Sequence, residues 1–271
     1  MEKIKIFAAV QIRLGSQRLP NKALADLGGK TVLERIVQRI QYCRELDGVM
    51  VCTSDESKDT PLQDIARKID VPCYRGSEKN LIQRFLGSID MVGAGAIVRI
   101  TGDCPLVDFQ LIDRMVKIFK DKTNDLDAVT NIFPPTFPDG LDIEIFKKNT
   151  FLRLDKDIVD PLHREWFTMY LYQHQDAYRI INIKSEINYS SMRWTLDYPE
   201  DLNFIRNIYS HFKEKDENFT MDQILEFLKD NPEIIKINQK YVEEVSQNVR
   251  GQSYQNIKKE DKLNARKDQF S

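Results

Sequence analysis

The strongest constraint on the fold is an alternation of short apolar runs with longer amphipathic segments over the first two thirds of the chain. The short runs are rich in β-branched residues, as expected of strands buried on both faces, and comprise residues 4–10, 49–53, 96–100 and 128–131. Apolar residues recur at helical spacing in segments 31–43, 61–69, 81–92 and 109–119. These repeats predict an α/β fold in which helices cover both faces of a mostly parallel sheet.

The pattern changes from about residue 133. The proline-rich segment 133–140 is predicted to be a loop, and 141–146 alternates like a strand of a second, small sheet. Later elements are predicted as helices over 161–172, 199–212 and 221–228, with a strand over 179–183. From Arg250 onward the chain has six cations, three anions and almost no apolar residues. We therefore expect one domain over 1–240, followed by a charged extension over 241–271 that is a frayed helix or disordered.

Composition excludes several classes of protein. The 271 residues include 40 Lys and Arg against 42 Asp and Glu, which rules out a globally basic nucleic-acid-binding protein. The longest apolar run, residues 91–98, is far shorter than the ~20 residues that span a membrane. The cysteines form no C-x-x-C pair, which argues against a zinc ribbon or redox pair and favours reduced thiols in the cytoplasm.

A cluster of cations follows the first predicted strand. Residues 3–25 contain no acid, and Arg13, Arg18 and Lys22 lie in the single connection RLGSQRLPNK at 13–22. Gly15 and Ser16 can turn backbone N–H groups inward as an anion-binding nest. Because ligands of parallel sheets bind beyond the carboxyl ends of the strands, this loop predicts a polyphosphate site, the alternative being a solvated basic loop.

Two common phosphate-binding motifs fail. Leu24 stands where a P-loop ending in Gly29-Lys30-Thr31 would need glycine, and the glycine-rich segment 93–98 precedes a strand instead of following one. The chain is therefore predicted to be neither an ordinary P-loop NTPase nor a dehydrogenase.

Two carboxylates are candidates for binding a metal beside this loop. Asp103 follows the predicted strand 96–100 directly, and Mg²⁺ commonly binds one or two carboxylates together with phosphate oxygens. A turn or helix-capping role is the alternative for Asp103, whereas Asp108 is the better capping candidate. Asp197 alone is more typical of a turn, but with Asp103 it would complete a two-carboxylate site.

Five segments together resemble the cytidylyltransferase family that activates sugars. They are residues 13–22, 101–106, 139–144, 163–165 and 195–202, and their order and spacing match over roughly residues 4–240. The family includes the 3-deoxy-manno-octulosonate and acylneuraminate cytidylyltransferases, and the spore-coat polysaccharide biosynthesis branch is the more similar one. The resemblance implies a three-layer α/β/α nucleotidyltransferase fold with a small projecting sub-sheet that often mediates dimers. The octulosonate enzymes carry Gln-Gly-Asp-Glu-Pro where this chain has Thr101-Gly-Asp-Cys-Pro, which argues against an octulosonate acceptor.

The resemblance also implies an activity. An NTP, with CTP favoured, and a sugar-like acceptor would give an NMP-sugar and pyrophosphate with Mg²⁺. Catalysis is assigned to Arg13, Arg18, Lys22, Asp103 and Asp197, of which the two aspartates would hold the metal. Nucleotide binding is assigned to Arg13, Leu14, Gly15, Ser16, Arg18, Lys22, Ser77, Asn80, Thr101, Gly102 and Asp103. Acceptor binding is assigned to Asp142, Glu144, His163, Arg164, Glu165 and Arg193, for which capping and salt-bridge roles are equal alternatives.

Two other functions remain open. A glycosyltransferase of related fold also places an aspartate on a metal at a strand end, although a diphosphate-sugar needs less neutralisation than this loop offers. A regulatory or nucleic-acid-binding module would use 13–22 and the basic tail, but the loop has no interleaved aromatic residues. We expect a cytoplasmic enzyme and possible homodimer that contacts neither nucleic acid nor membrane.

Overall fold

The computed structural model describes residues 4–122, 125–213 and 218–242. The strands of this part are β1 (Ile6–Gln11), β2 (Gly48–Ser54), β3 (Cys73–Gly76), β4 (Ala96–Thr101), β5 (Ala128–Thr130), β6 (Glu144–Lys147) and β7 (Ile180–Asn182). They form one sheet in the order β3-β2-β1-β4-β6-β5-β7. β6 runs antiparallel to β4 and to β5, whereas the other neighbouring strands are parallel. The predicted mostly parallel sheet is therefore confirmed.

Helices cover both faces of this sheet. They are α1 (Val32–Gln41), α2 (Thr60–Lys68), α3 (Leu81–Val92), α4 (Phe109–Asp121), α5 (Lys148–Asp157), α6 (Pro161–Glu165), α7 (Phe167–Gln173), α8 (Pro199–Phe212), α9 (Met221–Asp230) and α10 (Pro232–Ile235). Alternate residues of β1 enter different cores: Ala8 and Val10 pack with α1, α4 and α8, whereas Ala9 packs with α3, α5 and α7. The two cores give the three-layer α/β/α architecture.

Local sequence signals place several helix ends. Thr31 accepts a hydrogen bond from the Glu34 N–H, and Glu34 accepts one from the Thr31 N–H, which completes the capping box of α1. Asp108 accepts the Leu111 N–H at 2.8 Å and so caps α4, as expected. Pro199 begins α8 after Tyr198 at the N-cap.

Some predicted elements differ from the structure. The prediction of a second small sheet is wrong for the described residues, because the alternating run at 141–146 contributes β6 to the main sheet. The helix predicted over 161–172 is divided at Trp166, the C-cap of α6 and the N-cap of α7. The sequence pattern did not predict β3 or α5. All four residues of β3 are half-buried and only three residues of α5 are buried, so neither segment has a clear hydrophobic periodicity.

The remaining sequence expectations concern chain ends, membranes and thiols. None of the helices in the described ranges is long and apolar enough to cross a membrane. All four cysteines, Cys43, Cys52, Cys73 and Cys104, are described and none forms a disulfide. The extension predicted over 241–271 lies outside the described residues apart from its first two, and Tyr241 still stacks on Tyr198, with ring centroids 3.8 Å apart.

Candidate active site

A cleft of about 560 Å³ lies beyond the carboxyl ends of β1 and β4. These strands are parallel neighbours that place Gln11 opposite Thr101, so the loops that follow them meet. The cleft is lined on one side by the basic loop 13–22 and on the other by Thr101, Gly102, Asp103 and Asp197. Gly102 is required here, because a Cβ atom would lie 2.4 Å from Ile12 Cγ1. The two loops predicted to share a ligand therefore do line one space.

Lys22 lies between the two candidate metal ligands. Its Nζ atom is 3.3 Å from Asp103 Oδ2 and 2.9 Å from Asp197 Oδ1, and it donates a hydrogen bond to the Leu196 carbonyl at 2.8 Å. These three residues come from distant parts of the sequence. The fold brings them together and leaves the Lys22 side chain only 13% exposed. The cluster Lys22–Asp103–Asp197 is the electrostatic centre of the cleft.

The pKa values of this cluster reflect mutual stabilisation of charge. Burial opposes the charge on Lys22, but Asp103 and Asp197 outweigh it and raise the Lys22 pKa. Burial likewise opposes charge on Asp103, while Lys22 and a 2.5 Å hydrogen bond from Thr101 lower its pKa. Both groups are therefore charged across the neutral range.

Hydrogen bonds between loops fix Asp197 beside Asp103. The Leu196 N–H donates to the Asp103 carbonyl at 2.8 Å, and the Thr195 hydroxyl donates to the same carbonyl at 3.2 Å. Buried Asp201, in the first turn of α8, accepts the Asp197 N–H at 2.9 Å. The turn that carries Asp197 is thus held from both sides.

Arg193 is part of this support. Its buried guanidinium contacts Asp201 at 2.9 Å, Asp139 at 3.3 Å and Asp197 at 3.4 Å. The sequence assigned Arg193 to acceptor binding, and the structure places it behind Asp197 among these three carboxylates. Asn238, which follows α10 in the chain, donates a hydrogen bond to Asp201 at 2.9 Å and adds a further contact to this network.

The remaining cations of the basic loop are more exposed. Arg18 Nη2 is 3.0 Å from Asp197 Oδ2, and its guanidinium lies over the Tyr198 ring, 5.1 Å from the centroid. Arg13 contacts Glu78 at 3.3 Å and Glu165 at 3.5 Å. Both arginines line the cleft, and each contacts at least one carboxylate.

The donor set of the centre is suited to a hard divalent cation. Asp103 and Asp197 offer carboxylate oxygens around a shared position that the Lys22 ammonium holds. Mg²⁺ commonly binds such oxygens together with substrate phosphates. No group of three or more His, Cys, Asp or Glu within the described ranges could hold a metal unaided.

The other sequence-predicted nucleotide residues divide into two sets. Gly15 and Ser16 line the cleft, while the Leu14 N–H donates to Asp59 at 2.7 Å and anchors the loop. Asn80 caps α3 by accepting the Gln83 N–H, and Ser77 accepts the Asn80 N–H at 3.0 Å. Ser77 and Asn80 do not line the cleft, although their neighbour Glu78 reaches Arg13.

None of the six predicted acceptor residues, all of them among the described residues, lines the cleft. Buried Glu144 pairs with Arg99 and accepts the Tyr172 hydroxyl at 2.5 Å. Arg164 binds Asp155 at 2.6 Å.

The remaining predicted acceptor residues lie in three different settings. His163 contacts Asp160 at 3.3 Å. Asp142, which is half-buried, lies close enough to Cys104 to help raise the pKa of that thiol, whose main cause is burial. Glu165 contacts Arg13 of the basic loop at 3.5 Å.

Sequence reasoning missed several residues of the cleft. Gln11, Arg99 and Trp166 line it, and Tyr198 contacts Arg18. The end of a strand at Gln11 and an arginine inside the apolar run of β4 were available signals for the first two. Trp166 offered no signal, because its position depends on the break between α6 and α7.

Comparison with known proteins gives a consistent result. The sequence model of the family described as Cytidylyltransferase matches residues 7–248. The spore coat polysaccharide biosynthesis protein SpsF of Bacillus subtilis is 28% identical over 235 residues, which are 84% of this chain and 95% of SpsF. A 3-deoxy-manno-octulosonate cytidylyltransferase of Bdellovibrio bacteriovorus is 31% identical over 121 residues, 44% of this chain and 47% of that enzyme.

A solved structure agrees with the sequence relatives. A cytidylyltransferase from Leptospira borgpetersenii superposes with a TM-score of 0.83 at 33% sequence identity, over 86% of this chain and 97% of the other. Its fold supports the three-layer nucleotidyltransferase architecture described above. The chain belongs to the cytidylyltransferase family and is a nucleotidyltransferase.

Proposed function

We propose that this enzyme transfers CMP from CTP to a sugar acid or a sugar-phosphate-like acceptor, with Mg²⁺ and release of pyrophosphate, in the biosynthesis of surface polysaccharide precursors. The family supports the nucleotide, and the similarity to SpsF and to the octulosonate cytidylyltransferase supports the class of acceptor. The observation that carries the proposal is the position of Lys22 Nζ between Asp103 and Asp197 in a cleft at the strand ends.

The basic loop binds the triphosphate in this proposal. Arg13, Arg18 and Lys22 bring three cations to one wall of the cleft, and Ser16 with the adjacent backbone supplies further donors. The Arg13 and Arg18 side chains are 43% and 52% exposed, so phosphate oxygens can reach both and take the place of their carboxylate partners.

Transfer then needs positioning and neutralisation of charge more than covalent chemistry. An oxygen of the acceptor attacks the α-phosphorus, the bond between the α-phosphorus and the bridging oxygen breaks, and pyrophosphate leaves. Arg18 and Lys22 stabilise the negative charge that develops on the leaving pyrophosphate. Asp103 and Asp197 would hold Mg²⁺, which when bound neutralises phosphate oxygens.

The supporting residues act on the aspartates and not on the substrate. Arg193 and Asp201 hold the turn of Asp197, and Thr101 holds the Asp103 carboxylate. This fixes both acidic groups before substrate arrives, and such preorganisation is what makes charge stabilisation effective.

The direct test measures pyrophosphate release from each of the four NTPs with Mg²⁺ and a panel of sugar acids and sugar phosphates. We expect release with CTP and at least one acceptor, and a fall of at least ~10²-fold in the Asp103→Asn variant. Sugar transfer from a nucleotide-sugar, with no pyrophosphate from any NTP, would instead favour the glycosyltransferase alternative. The homodimer and the cytoplasmic location remain predictions.

A further inference from the structure

A second, smaller cavity of about 90 Å³ adjoins the cleft on the side of α3. Arg13, Arg99 and Trp166 line both spaces. A ligand that lies in the cleft can therefore extend one of its groups into this inner cavity. This volume is large enough for several water molecules or for a small functional group.

Arg84 lines the inner cavity and is only 3% exposed. It lies in the first turns of α3, and its aliphatic stem passes Gly76, where a Cβ atom would lie 3.2 Å from Arg84 Cγ. Its Nε and Nη1 atoms are buried and have no hydrogen-bond partner among the residues that the structure describes. Buried charged donors without partners are costly and rare, so this guanidinium lacks an acceptor that something else must supply.

Three arginines line the inner cavity, and Arg84 differs from the other two in its ion pairs. Glu78 and Glu165 both bind Arg13, and Glu144 binds Arg99. Arg84 makes no ion pair within the described ranges. Burial is the main cause that lowers its pKa, Arg13 and Arg99 lower it further, and the charges of Cys52 and Asp59 act in the opposite direction. An anion placed among the three arginines would relieve their repulsion and satisfy the free N–H groups.

We propose that the inner cavity is an anion subsite for the acceptor, in which Arg84 binds a carboxylate. A carboxylate fits within this volume, and its oxygens are suitable acceptors for guanidinium donors. The triphosphate already has Arg18 and Lys22 in the larger cleft. This inference rests on the proposed function for its choice of acceptor, and it makes Arg84 a residue that determines specificity for acidic acceptors.

The experiment uses sodium pyruvate as a probe, since it is a small keto acid carrying one carboxylate. Thermal unfolding of the full chain is followed during titration with pyruvate at constant ionic strength, and in parallel with inorganic phosphate and with CTP and Mg²⁺. The variants are Arg84→Met, which keeps the stem, Arg84→Lys, which keeps the charge, and Arg67→Gln, a control on the exposed face of α2.

We expect pyruvate to stabilise the wild type and Arg67→Gln equally, and to bind Arg84→Met about tenfold more weakly, the effect of losing one charged hydrogen-bonding group. Arg84→Lys should retain part of the affinity. Because the free guanidinium donors are lost, Arg84→Met should unfold at the same temperature as the wild type or higher. A marked fall in its unfolding temperature would show a structural role and overturn the proposal.

Three other results would also overturn it: no stabilisation of the wild type by pyruvate, equal stabilisation of Arg84→Met, or an Arg84-dependent effect of phosphate alone. Loss of CTP binding in both Arg84 variants would assign the cavity to the nucleotide and overturn it as well. If no variant and no wild-type protein bound CTP, the proposed function would fail, whereas an Arg84-dependent pyruvate effect would still support the subsite.

Discussion

The two sides of the cleft hold their charges in different ways. On the side of the basic loop, Arg18 is 52% exposed and pairs with the cleft-facing Asp197. On the side where Arg99 lines the cleft, Glu144 lies behind it, is 1% exposed and is held by Arg99 and Tyr172 within the sheet. Both sides contain arginine–carboxylate pairs, and only their burial and surroundings differ.

This difference distinguishes ion pairs whose carboxylate a ligand can replace from ion pairs that stabilise the fold. An ion pair near solvent contributes little, so exchanging its carboxylate for a phosphate costs little. A buried pair loses far more when one partner is removed, because the remaining charge is stranded. We therefore expect the basic-loop side to respond mainly in activity and the Glu144 side mainly in stability.

The largest effect is expected on the buried side. Glu144→Ala strands Arg99 and frees the Tyr172 hydroxyl, and should lower the free energy of unfolding by about 3–5 kcal/mol. Glu165→Ala, which removes a half-buried partner of the more exposed Arg13, is the control and should cost under ~1 kcal/mol. Urea unfolding of both variants measures this, and similar losses in the two would abolish the distinction.

The next effect is on turnover. Asp103→Asn keeps the size of the side chain but removes its charge, and should lower kcat for pyrophosphate release by ~10²–10³-fold. Asp64→Asn on the exposed surface of α2 should leave kcat unchanged. A wild-type rate for Asp103→Asn at saturating Mg²⁺ would remove this residue from the proposed machinery.

A smaller effect should appear in the acid range. Because the pKa of Asp103 is lowered in the folded chain, its contribution to stability is present above its unfolded pKa of ~3.9 and is lost as pH falls. The stability difference between wild type and Asp103→Asn should be constant above about pH 5 and shrink below pH ~4. Unfolding curves across this range measure it, and a difference that grew with acidity would contradict the sign.

The smallest effect is expected at the edge of the basic-loop side. Lys58 contacts Glu78 at 2.8 Å, but nearly half of its side chain is exposed. Lys58→Ala should leave the midpoint of urea unfolding essentially unchanged, because such pairs are screened by solvent. A loss as large as that of Glu144→Ala would mean that exposure does not distinguish the two sides.

Local patterns were sufficient for most of the fold and for the centre of the site. The capping pair Thr31 and Glu34 located α1, and the strand ends predicted that Lys22 and Asp103 would meet. These features depend on sequence neighbours or on the rule for parallel sheets.

The rest depends on contacts between distant segments that periodicity does not encode. β6 enters the sheet antiparallel between β4 and β5, and this pairing gives Glu144 its partner Arg99. Arg164 and Glu165 are adjacent in sequence, yet they bind Asp155 and Arg13, respectively. Arg84 gave no more signal than a single cation on a buried helical face.

A crystal structure with CTP and Mn²⁺ would test the central claim most directly, since the anomalous signal of manganese locates the metal. We predict a manganese peak bound by Asp103 and Asp197, with phosphate oxygens of CTP in contact with Lys22 and Arg18. Triphosphate and manganese bound elsewhere, with the ion pairs of Lys22 intact, would contradict the account.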